Sequence, residues 1–267
     1  MKIVESVKLL KLNMGQPFNP FSLKDKTILI TGASSGIGRQ CAIDCCKMGG
    51  RVVAIGRNLE RLNSVVDEME GRGVSYTFDL DRVDGIKDLI ATIVEKYGKL
   101  DGFIHAAGIE VTQPVKLSRP EEYDVLFRVN CLSAFEIVRN LCGLKTFNNG
   151  GSIVLISSIS GIIARKGLSA YAASKGALMS AARVMALEMA SREIRVNTVS
   201  PGTILTPMMQ KALDSMSVED RKKRVDGFPL KLGKTSDISN ACIYLLSDAS
   251  RWVTGHNLIV DGGFSIG

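Results

Sequence analysis

The amino-acid sequence predicts an α/β protein with a doubly wound fold, in which helices cover both faces of a seven-stranded parallel sheet. The first observation behind this prediction is the alternation, from Thr27 onward, of short β-branched apolar runs with longer segments of helical periodicity. The second is a glycine-rich turn that joins the first run to the first helical segment. The third is that polar residues follow the ends of several runs, where parallel sheets bind ligands.

Each strand and helix is predicted from its local pattern. The strands, which are short apolar runs, are predicted at 26–30, 51–55, 74–78, 100–105, 152–157, 195–199 and 256–260. The helices, with apolar residues at helical spacing, are predicted from the glycine turn onward and at 59–70, 83–97, 121–144, 169–190 and 236–247. The stretch 203–230 is polar and is expected to form a mobile lid. Right-handed crossovers between the strands place helices on both faces of the sheet.

The composition permits one sizeable core and argues against nucleic-acid binding. The chain has 267 residues, of which 45% are hydrophobic, and it is short for two complete domains. The net charge of +7 is scattered, without a basic block interleaved with aromatic residues. An anionic cofactor or substrate accounts for this mild excess, and chance does so nearly as well.

The six cysteines and the apolar runs indicate a cytoplasmic protein that does not enter the membrane. The cysteines form no CxxC pair and have no neighbouring histidine, so no metal site is expected. Most of them lie in apolar helical stretches, where thiols are small core residues, and this suits a reducing compartment. No apolar run approaches the ~20 residues of a membrane span.

Residues 1–20 are expected to be a flexible extension ahead of a single dinucleotide-binding catalytic domain at 21–267. The extension mixes charged and apolar residues and lacks an Ala-x-Ala cleavage site, so it does not read as a signal peptide. Its charged residues are Lys2, Glu5, Lys8 and Lys11. A loosely docked amphipathic tail and translation from Met14 are the alternatives.

The glycine turn at 31–38, with the sequence TGASSGIG, predicts a nucleotide site on a Rossmann fold. A helix that begins within such a turn presents free backbone N–H groups and its positive end to a phosphate. Glycine is required because a Cβ would block either the tight turn or the close approach of a pyrophosphate. The alternative, an ordinary glycine-punctuated turn, is disfavoured by the strand before it and the helix after it.

The residues after the second and third strands bear on the choice of cofactor. Gly56 occupies the position where a carboxylate would hold a ribose 2′-hydroxyl, and Arg57 follows it. Glycine removes the charge that would repel a 2′-phosphate, and arginine supplies a fork-shaped donor for it, so NADP(H) is favoured over NAD(H). A plain surface arginine is the alternative. After the third strand, Asp79 could accept from the adenine amino group or cap a helix.

The motif Tyr171-x-x-x-Lys175 predicts an acid/base pair. On a helix, positions i and i+4 share a face, so the phenol and the ammonium can meet at one site. A tyrosine with the ordinary pKa of ~10 transfers protons poorly at neutral pH. The ammonium, together with the positive charge of an oxidised nicotinamide, is expected to lower the pKa of Tyr171. Ser157 and Ser158 end a strand shortly before this motif.

Taken together, these motifs resemble the short-chain dehydrogenase/reductase family, in its branch of single-domain enzymes, over residues 23–263. The residues that carry the resemblance are the glycine turn, Asn130, Ser158, Tyr171, Lys175, Pro201, Gly202 and the closing Val-Asp-Gly-Gly at 260–263. The resemblance implies that Tyr171 is the acid/base and that Ser158 hydrogen-bonds the substrate oxygen. It further implies that Lys175 holds the nicotinamide ribose and tunes Tyr171. Asn130 is implied to steady a water through which protons reach solvent.

The resemblance also implies a set of cofactor-binding residues along the ends of the strands. The loop after the sixth strand is expected to bracket the nicotinamide amide, with Asn197 supporting that loop. The expected cofactor-binding residues are Gly32, Ser34, Ser35, Gly36, Ile37, Gly38, Arg57, Asp79, Leu80, Ala107, Gly108, Tyr171, Lys175, Pro201, Gly202, Ile204 and Thr206.

The sequence departs from the family pattern after the fourth strand. The family usually has Asn-Asn-Ala-Gly there, whereas this chain has His105, Ala106, Ala107 and Gly108. Gly108 still lets the backbone pass close to the adenosine ribose, but Ala106 cannot make the hydrogen bonds that pin neighbouring strands. His105 is interpreted as a structural histidine that replaces them, with a catalytic base as the alternative, and His256 is also interpreted as structural.

The implied reaction is hydride transfer between nicotinamide C4 and a carbonyl or alcohol carbon of a small molecule, free or bound to a carrier protein. The chain is most similar to the 3-oxoacyl-acyl-carrier-protein reductase-like group, and sugar, steroid and polyol dehydrogenases are the alternatives. A non-catalytic cofactor-binding regulator is disfavoured because Ser158, Tyr171 and Lys175 are all present. A sugar-nucleotide epimerase is disfavoured because its glycine spacing is GxxGxxG, against GxxxGxG here.

The substrate pocket is expected between a wall at 160–168 and the lid at 203–230. This wall is apolar and carries Arg165 and Lys166, which would suit an acyl chain on an acidic carrier. The basic run 221–224 is interpreted as a solvated face of the lid, with contact to an anionic substrate as the alternative. The family commonly forms homotetramers, which the apolar face of 169–190 and the glycine-rich end at 255–267 permit.

Overall fold

A sheet of seven parallel strands forms the centre of the protein and confirms the predicted fold class. In their order across the sheet, the strands are Gly73–Thr77, Arg51–Gly56, Thr27–Thr31, Leu100–His105, Phe147–Ile156, Arg195–Pro201 and Asn257–Val260. The structure is a computed structural model that describes residues 19–266, without the side chains of Met208, Lys211, Ala212 and Arg224. The strands are β1 (Thr27–Thr31), β2 (Arg51–Gly56), β3 (Gly73–Thr77), β4 (Leu100–His105), β5 (Phe147–Ile156), β6 (Arg195–Pro201), β7 (Ile204–Leu205), β8 (Gly233–Lys234) and β9 (Asn257–Val260). Of the predicted extension at 1–20, residues 1–18 lie outside the described residues.

Nine helices connect the strands within residues 19–266. They are α1 (Gly36–Lys47), α2 (Leu59–Asp67), α3 (Ile86–Tyr97), α4 (Pro120–Phe127), α5 (Ser133–Leu141), α6 (Ser169–Met189), α7 (Pro207–Asp214), α8 (Val218–Asp226) and α9 (Thr235–Leu246). None of the helices in this part of the chain combines the length and the hydropathy needed to cross a bilayer.

Two apolar clusters, one on each face of the sheet, form the core. The side chains of α3, α5 and α6 form one cluster, which includes Leu29 of β1. The side chains of α1, α2 and α9 form the second, which includes Ile28 and Ile30 of the same strand. Successive residues of a strand point to opposite faces, so β1 is buried on both sides, as a central strand of a parallel sheet is.

Strand β5 begins five residues earlier than predicted, at Phe147. Phe147 pairs with Leu100 of β4, and a register shift between Leu100 and Gly102 separates this pair from the regular ladder. The prediction missed this part of the strand because 148–151 is a polar and glycine-rich stretch inside it. Strand β3 is displaced by one residue from its predicted position at 74–78.

The long helix predicted at 121–144 is interrupted. Between α4 and α5 the chain forms a π-helical turn at Arg128–Leu132. Ser133 Oγ donates to the carbonyl of Val129 at 2.7 Å, which satisfies one backbone acceptor of this turn. Such turns are frequent at functional sites because they re-aim side chains within a helix. Here the turn carries Asn130, a predicted catalytic residue.

The polar stretch 203–230, predicted as a mobile lid, contains two short helices, α7 and α8. Thr206 Oγ1 accepts from the N–H of Met209 at 3.2 Å at the start of α7. Ser217 Oγ accepts from the N–H of Asp220 at 3.1 Å and caps α8. β7 and β8 pair as a second small parallel sheet in front of α9. Local capping, which the overall polarity of the segment concealed, therefore makes this lid helical.

The C-terminal tail packs against the end of the lid. The ring of Phe264 stacks on that of Phe228 with 4.3 Å between the centroids. The N–H of Leu230 donates to the carbonyl of Gly262 at 3.1 Å. The last described residues therefore brace the segment that follows α8.

Arg195, at the start of β6, donates hydrogen bonds to the C-terminus of α9. Its buried guanidinium donates to the carbonyl of Leu245 at 2.6 Å and to that of Ser247 at 3.2 Å. It also donates to Ser250 Oγ at 2.7 Å. Carbonyls at a helix C-terminus have no partner within the helix, so one side chain supplies donors to the last turn of α9 and to the turn after it.

We expect Arg195→Ala to lower the free energy of unfolding by about 3 kcal/mol, because it opens a cavity and removes three buried hydrogen bonds. Urea denaturation monitored by circular dichroism measures the change. Arg61→Ala, at an exposed position on α2, is the matched control and is expected to cost less than about 0.5 kcal/mol. Equal losses in the two variants would contradict this role for Arg195.

Candidate active site

The glycine turn after β1 is shaped to receive a phosphate. α1 begins after Ser35, whose side chain makes no capping hydrogen bond, so the first N–H groups of the helix remain available to a ligand. Gly32 and Gly36 adopt φ angles of +67° and +55°, a region that favours glycine. A Cβ on Gly36 would lie 3.3 Å from Thr206 Cγ2 and would narrow the space in front of the helix. These residues fit the pyrophosphate of a dinucleotide.

Other predicted residues of this turn fasten it to the sheet. Ile37 packs against the second core cluster, and a Cβ on Gly38 would collide with the backbone of Gly32. A Cβ on Gly32 would in turn lie 2.7 Å from the nitrogen of Ala107, at the end of β4. Glycine is therefore needed in the turn for packing as well as for ligand approach, and the turn lies directly beside the end of β4.

Gly56, Arg57 and Ser34 lie together at the end of β2. A Cβ on Gly56 would lie 3.1 Å from Ser34 Oγ, so the glycine allows the strand end and the turn to approach each other. Arg57 is exposed and forms no ion pair with the acidic residues described between 19 and 266. An arginine with a free guanidinium beside this turn fits a 2′-phosphate.

The loop after β3 is largely engaged in structural contacts. Asp79 Oδ1 accepts from the N–H of Asp81 at 3.2 Å, so it closes a local turn instead of capping a helix. The side chain of Leu80 is buried in the first core cluster. Asp81 Oδ1 accepts from Arg128 Nε at 2.7 Å, which ties the loop to the π turn. Adenine contacts by Asp79 and Leu80 stay a prediction.

The loop expected to bracket the nicotinamide amide begins at the end of β6. Pro201 is buried as the last residue of the strand, and the N–H of Gly202 donates to the carbonyl of Val260 at 3.0 Å. Ile204 is buried in β7, and Thr206 lies against the cradle of the glycine turn. The loop is therefore fixed between β9 and the start of α1.

Asn197 does not support this loop, which corrects the sequence interpretation. Its Nδ2 donates to the carbonyl of Val253 at 2.9 Å, and its Oδ1 accepts from the N–H of His256 at 3.0 Å. The residue thus fastens β6 to the turn that precedes β9. It lies near the start of β6, whereas the loop follows the end of that strand.

Tyr171, Lys175 and Ser158 meet where β5 ends against the first turns of α6. Lys175 Nζ lies 5.7 Å from the centroid of the Tyr171 ring. The buried ammonium donates to the carbonyl of Ile156 at 2.9 Å, on the last residue of β5. Ser158 follows two residues later, and its hydroxyl is near enough to the Tyr171 phenol to lower the pKa of that group. The sheet and α6 thus bring together the three side chains that the motifs singled out.

The two adjacent serines have different surroundings. Ser157 Oγ donates to the carbonyl of Lys175 at 2.7 Å and fastens the end of β5 to α6. Ser158 Oγ accepts from the N–H of Ser160 at 3.1 Å, and it lies on the side of Tyr171. Ser158 is therefore the serine placed to meet a substrate oxygen.

The acid–base properties of the pair differ from the expectation. Burial, and after it the charge of Glu110, raise the pKa of Tyr171 to about 12, against a smaller lowering by the Ser158 hydroxyl. Burial also lowers the pKa of Lys175 to about 8. Desolvation penalises the charged form of both groups, and it outweighs the lowering that the Lys175 ammonium was expected to cause. The prediction rested on two cations, the Lys175 ammonium and an oxidised nicotinamide, acting on a partly buried group.

Asn130 connects the π turn with the strand end after β4 and with α6. Its Oδ1 accepts from the N–H of Ile109 at 2.8 Å, and its Nδ2 donates to the carbonyl of Ile109 at 3.0 Å. Nδ2 also donates to Ser174 Oγ at 3.0 Å, and that hydroxyl donates to the carbonyl of Tyr171 at 2.8 Å. Asn130 thus positions Tyr171 through Ser174, and its contact with a water stays a prediction.

Two residues of this site were missed by the sequence analysis. Ser174 lies inside the Tyr171–Lys175 motif, where its place next to Lys175 was the available signal. Glu110 follows Gly108 by two residues, close to a predicted cofactor contact. A Cβ on Gly108 would lie 3.2 Å from Lys175 Nζ, so this stretch of backbone runs directly past the catalytic amine.

His105 joins β4 to β1. Its Nδ1 lies 3.0 Å from Thr31 Oγ1, which also accepts from the N–H of Ala107 at 3.4 Å. The ring nitrogen Nδ1 and the Thr31 hydroxyl share a hydrogen bond whose donor depends on the ring tautomer, and Nε2 is buried without a hydrogen-bond partner within residues 19–266. Burial, and then the charge of Lys175, lowers the pKa of His105 to about 3. These contacts support a structural role.

The basic run at 221–224 faces solvent in its described part. Arg221 Nη1 lies 3.7 Å from Asp214 Oδ1, and Lys223 Nζ lies 2.8 Å from Glu219 Oε1. All four of these side chains are exposed. The run therefore has acidic partners on the lid itself, as expected of a solvated helix face.

Comparison with known proteins places the whole chain beside one group of oxidoreductases. A model of the protein family described as enoyl-(acyl carrier protein) reductase matches residues 32–265. The 3-oxoacyl-[acyl-carrier-protein] reductase FabG of Thermotoga maritima is 34% identical, and the match covers 91% of this chain and 99% of that protein. The NAD-dependent glycerol dehydrogenase of Listeria innocua is 31% identical, with 92% and 96% covered. A solved structure of a dehydrogenase/reductase from Sinorhizobium meliloti 1021 superposes with a TM-score of 0.85 at 29% identity, over 92% of this chain and 97% of that chain.

We expect His105 to make the protein sensitive to acid. Its pKa of about 3 lies below the ordinary 6.5, so the unfolded chain binds the proton more tightly and the free energy of unfolding falls as the pH drops from 6.5 towards 3. At pH 4.5 this contribution is about 2.5 kcal/mol. Urea denaturation at pH 7 and pH 4.5 should show a smaller difference for His105→Asn than for the wild type.

His256→Asn is the matched control, because His256 is exposed and is the other histidine of the chain. It is expected to keep the wild-type difference between the two pH values. A His105→Asn protein that loses as much stability in acid as the wild type would show that another group is responsible.

Proposed function

The chain belongs to the short-chain dehydrogenase/reductase family and acts on CH–OH groups with a nicotinamide cofactor, and from this premise we propose that it is an NADP(H)-dependent carbonyl reductase or secondary-alcohol dehydrogenase. The observation that carries the proposal is the convergence of Tyr171, Lys175 and Ser158 at the end of β5, on the same edge of the sheet as the glycine turn. The turn binds the pyrophosphate, Lys175 holds the nicotinamide ribose, and the loop from Pro201 onward borders the nicotinamide amide.

When bound, the nicotinamide supplies or accepts the hydride. The residues of this chain handle the proton and the substrate oxygen. Ser158 donates a hydrogen bond to that oxygen, and Tyr171 donates its phenolic proton to it as the carbonyl is reduced. The raised pKa of Tyr171 keeps the phenol protonated at neutral pH, which suits its role as the acid. The ammonium of Lys175 stabilises the phenolate that forms when the proton leaves.

Arg57 supports the choice of NADP(H). Arg57 directly follows Gly56, which packs close to Ser34, and its exposed side chain has no carboxylate partner in the described chain that would compete with a phosphate. A member of the family that selects NAD(H) would gain from a carboxylate at the position of Gly56 to bind the ribose hydroxyl. The glycerol dehydrogenase relative is NAD-dependent by name. The proposed preference for NADP(H) therefore rests on Gly56 and Arg57 and not on overall similarity.

The substrate is a carbonyl or secondary alcohol of one of two classes. A 3-oxoacyl group on a carrier protein is the class named for the relative from Thermotoga maritima, and a polyol is the class named for that from Listeria innocua. Both relatives have nearly the same identity to this chain, so sequence similarity does not separate the classes. The residues around the reacting carbon must therefore distinguish the two substrate classes.

We include a homotetramer in the cytoplasm in this proposal. Exposed apolar side chains on α6, such as Val184 and Leu187, support contact between copies of the chain. Trp252 and Ile259, near β9 at the edge of the sheet, are also exposed and support a second contact. The six free cysteines suit a reducing compartment.

We expect Tyr171→Phe to lower kcat by a factor of at least about 10³, because the variant lacks the proton donor while the ring keeps its packing. The Kd for NADPH, measured by fluorescence, should change by less than about threefold, since the phosphate and ribose contacts remain. Tyr244→Phe, on α9, is the matched control and should keep wild-type kcat. Unchanged turnover in Tyr171→Phe would remove this residue from its role.

We expect the wild type to prefer NADPH over NADH in kcat/KM, and Arg57→Ala to reduce kcat/KM for NADPH by about 10- to 100-fold with little change for NADH. Arg61→Ala, on α2, changes the same charge nearby and should leave the preference intact. Steady-state rates with both cofactors measure the effect. Equal kcat/KM values for the two cofactors in the wild type, or a preference for NADH, would defeat the assignment.

A further inference from the structure

Glu110 follows a stretch of backbone that is firmly fixed next to Lys175. The residue before it, Ile109, is bound through both its N–H and its carbonyl to the side chain of Asn130, at 2.8 and 3.0 Å. One residue earlier, a Cβ on Gly108 would lie 3.2 Å from Lys175 Nζ. The backbone that carries Glu110 therefore passes the catalytic amine and is clamped there.

The Glu110 carboxylate is charged and available to a ligand. Its charge raises the pKa of both Tyr171 and Lys175, so it acts on both catalytic groups. Glu110 is exposed, and no lysine or arginine described in residues 19–266 pairs with it. Thr112 Oγ1 donates to its Oε1 at 3.3 Å, and Oε2 receives no hydrogen bond from the same part of the chain. A carboxylate can only accept hydrogen bonds, so the remaining oxygen requires a donor from the substrate or from water.

We propose that Glu110 determines specificity by accepting a hydrogen bond from a hydroxyl or ammonium group next to the reacting carbon of the substrate. This inference rests on the proposed function, because Ser158 and Tyr171 must hold the reacting oxygen for Glu110 to meet the adjacent group. The substrate class is then a hydroxycarbonyl or aminocarbonyl compound and the corresponding polyol or amino alcohol.

Glu110 disfavours two other kinds of substrate. A 2-oxo acid would bring a second carboxylate close to Glu110, and like charges repel each other. A 3-oxoacyl thioester has only C–H groups next to its reacting carbonyl carbon, with the thioester carbonyl beyond one of them, so its binding would remove water from Glu110 without supplying a donor. The basic residues of the predicted wall, Arg165 and Lys166, are exposed and form no ion pair with Glu110 that would cancel its charge.

The test compares four carbonyl compounds as oxidants of NADPH. Hydroxyacetone and butanone form a matched pair, because they differ only in having a hydroxyl or a methyl group on the carbon next to the carbonyl carbon. Pyruvate presents a carboxylate at that position, and the N-acetylcysteamine thioester of acetoacetate represents the acyl class. We expect the wild type to have the highest kcat/KM for hydroxyacetone, by about tenfold over butanone.

Variants of Glu110 assign this preference to its carboxylate. Glu110→Ala should reduce the ratio of kcat/KM for hydroxyacetone over butanone to about one, and Glu110→Gln, which keeps a neutral acceptor, should reduce it partly. Because both compounds use the same catalytic group, any effect of Glu110 on Tyr171 cancels in this ratio. Glu95→Gln, at an exposed position on α3, is the control and should keep the wild-type ratio.

The outcomes separate this inference from the proposed function. Turnover with a preference for butanone, pyruvate or the thioester, or a ratio that Glu110→Ala leaves unchanged, would overturn the role of Glu110 while the reductase assignment stands. Failure of all four compounds to oxidise NADPH would overturn both. A preference for hydroxyacetone that disappears only in the Glu110 variants would support the proposal.

Discussion

The site depends on one buried ammonium, that of Lys175. A charge removed from water is costly unless the protein supplies partners, and here the carbonyl of Ile156 accepts its hydrogen bond at 2.9 Å. That carbonyl is available because β5 ends at Ile156, beneath the first turns of α6. The docking of α6 on the sheet, the position of the strand end and the identity of residue 175 therefore constrain one another, and Tyr171 takes its place one helical turn before the amine.

The π turn at 128–132 explains how an amide side chain reaches this group from a different helix. A regular helix over α4 and α5 would direct Asn130 differently, whereas the turn lets its amide bind Ile109 and Ser174 together. The strand end after β4, the π turn and α6 are then joined by one side chain. The rigidity of the site thus comes from buried hydrogen bonds between elements that are distant in sequence.

The sequence was sufficient for the fold class and for the motifs, because strand runs, the glycine turn and the Tyr171–Lys175 spacing are local patterns. It was insufficient where contacts between distant segments determine the local structure or the pKa of a side chain. The interruption after Phe127 follows from partners of Asn130 that no local pattern names, and the raised pKa of Tyr171 follows from burial that a list of neighbouring charges does not reveal. The position of Glu110 follows from the hydrogen bonds between Asn130 and Ile109, which no local pattern predicts.

The stacking of Phe264 on Phe228 has a practical consequence for handling the protein. Phe264 supports the segment that follows α8, so an affinity tag fused close behind it would disturb this contact. Purified enzyme tagged in this way would bind substrate more weakly than the untagged protein, and the difference would be caused by the tag. A tag in a recombinant version should therefore be placed away from Phe264, or be separated from it by a cleavable spacer.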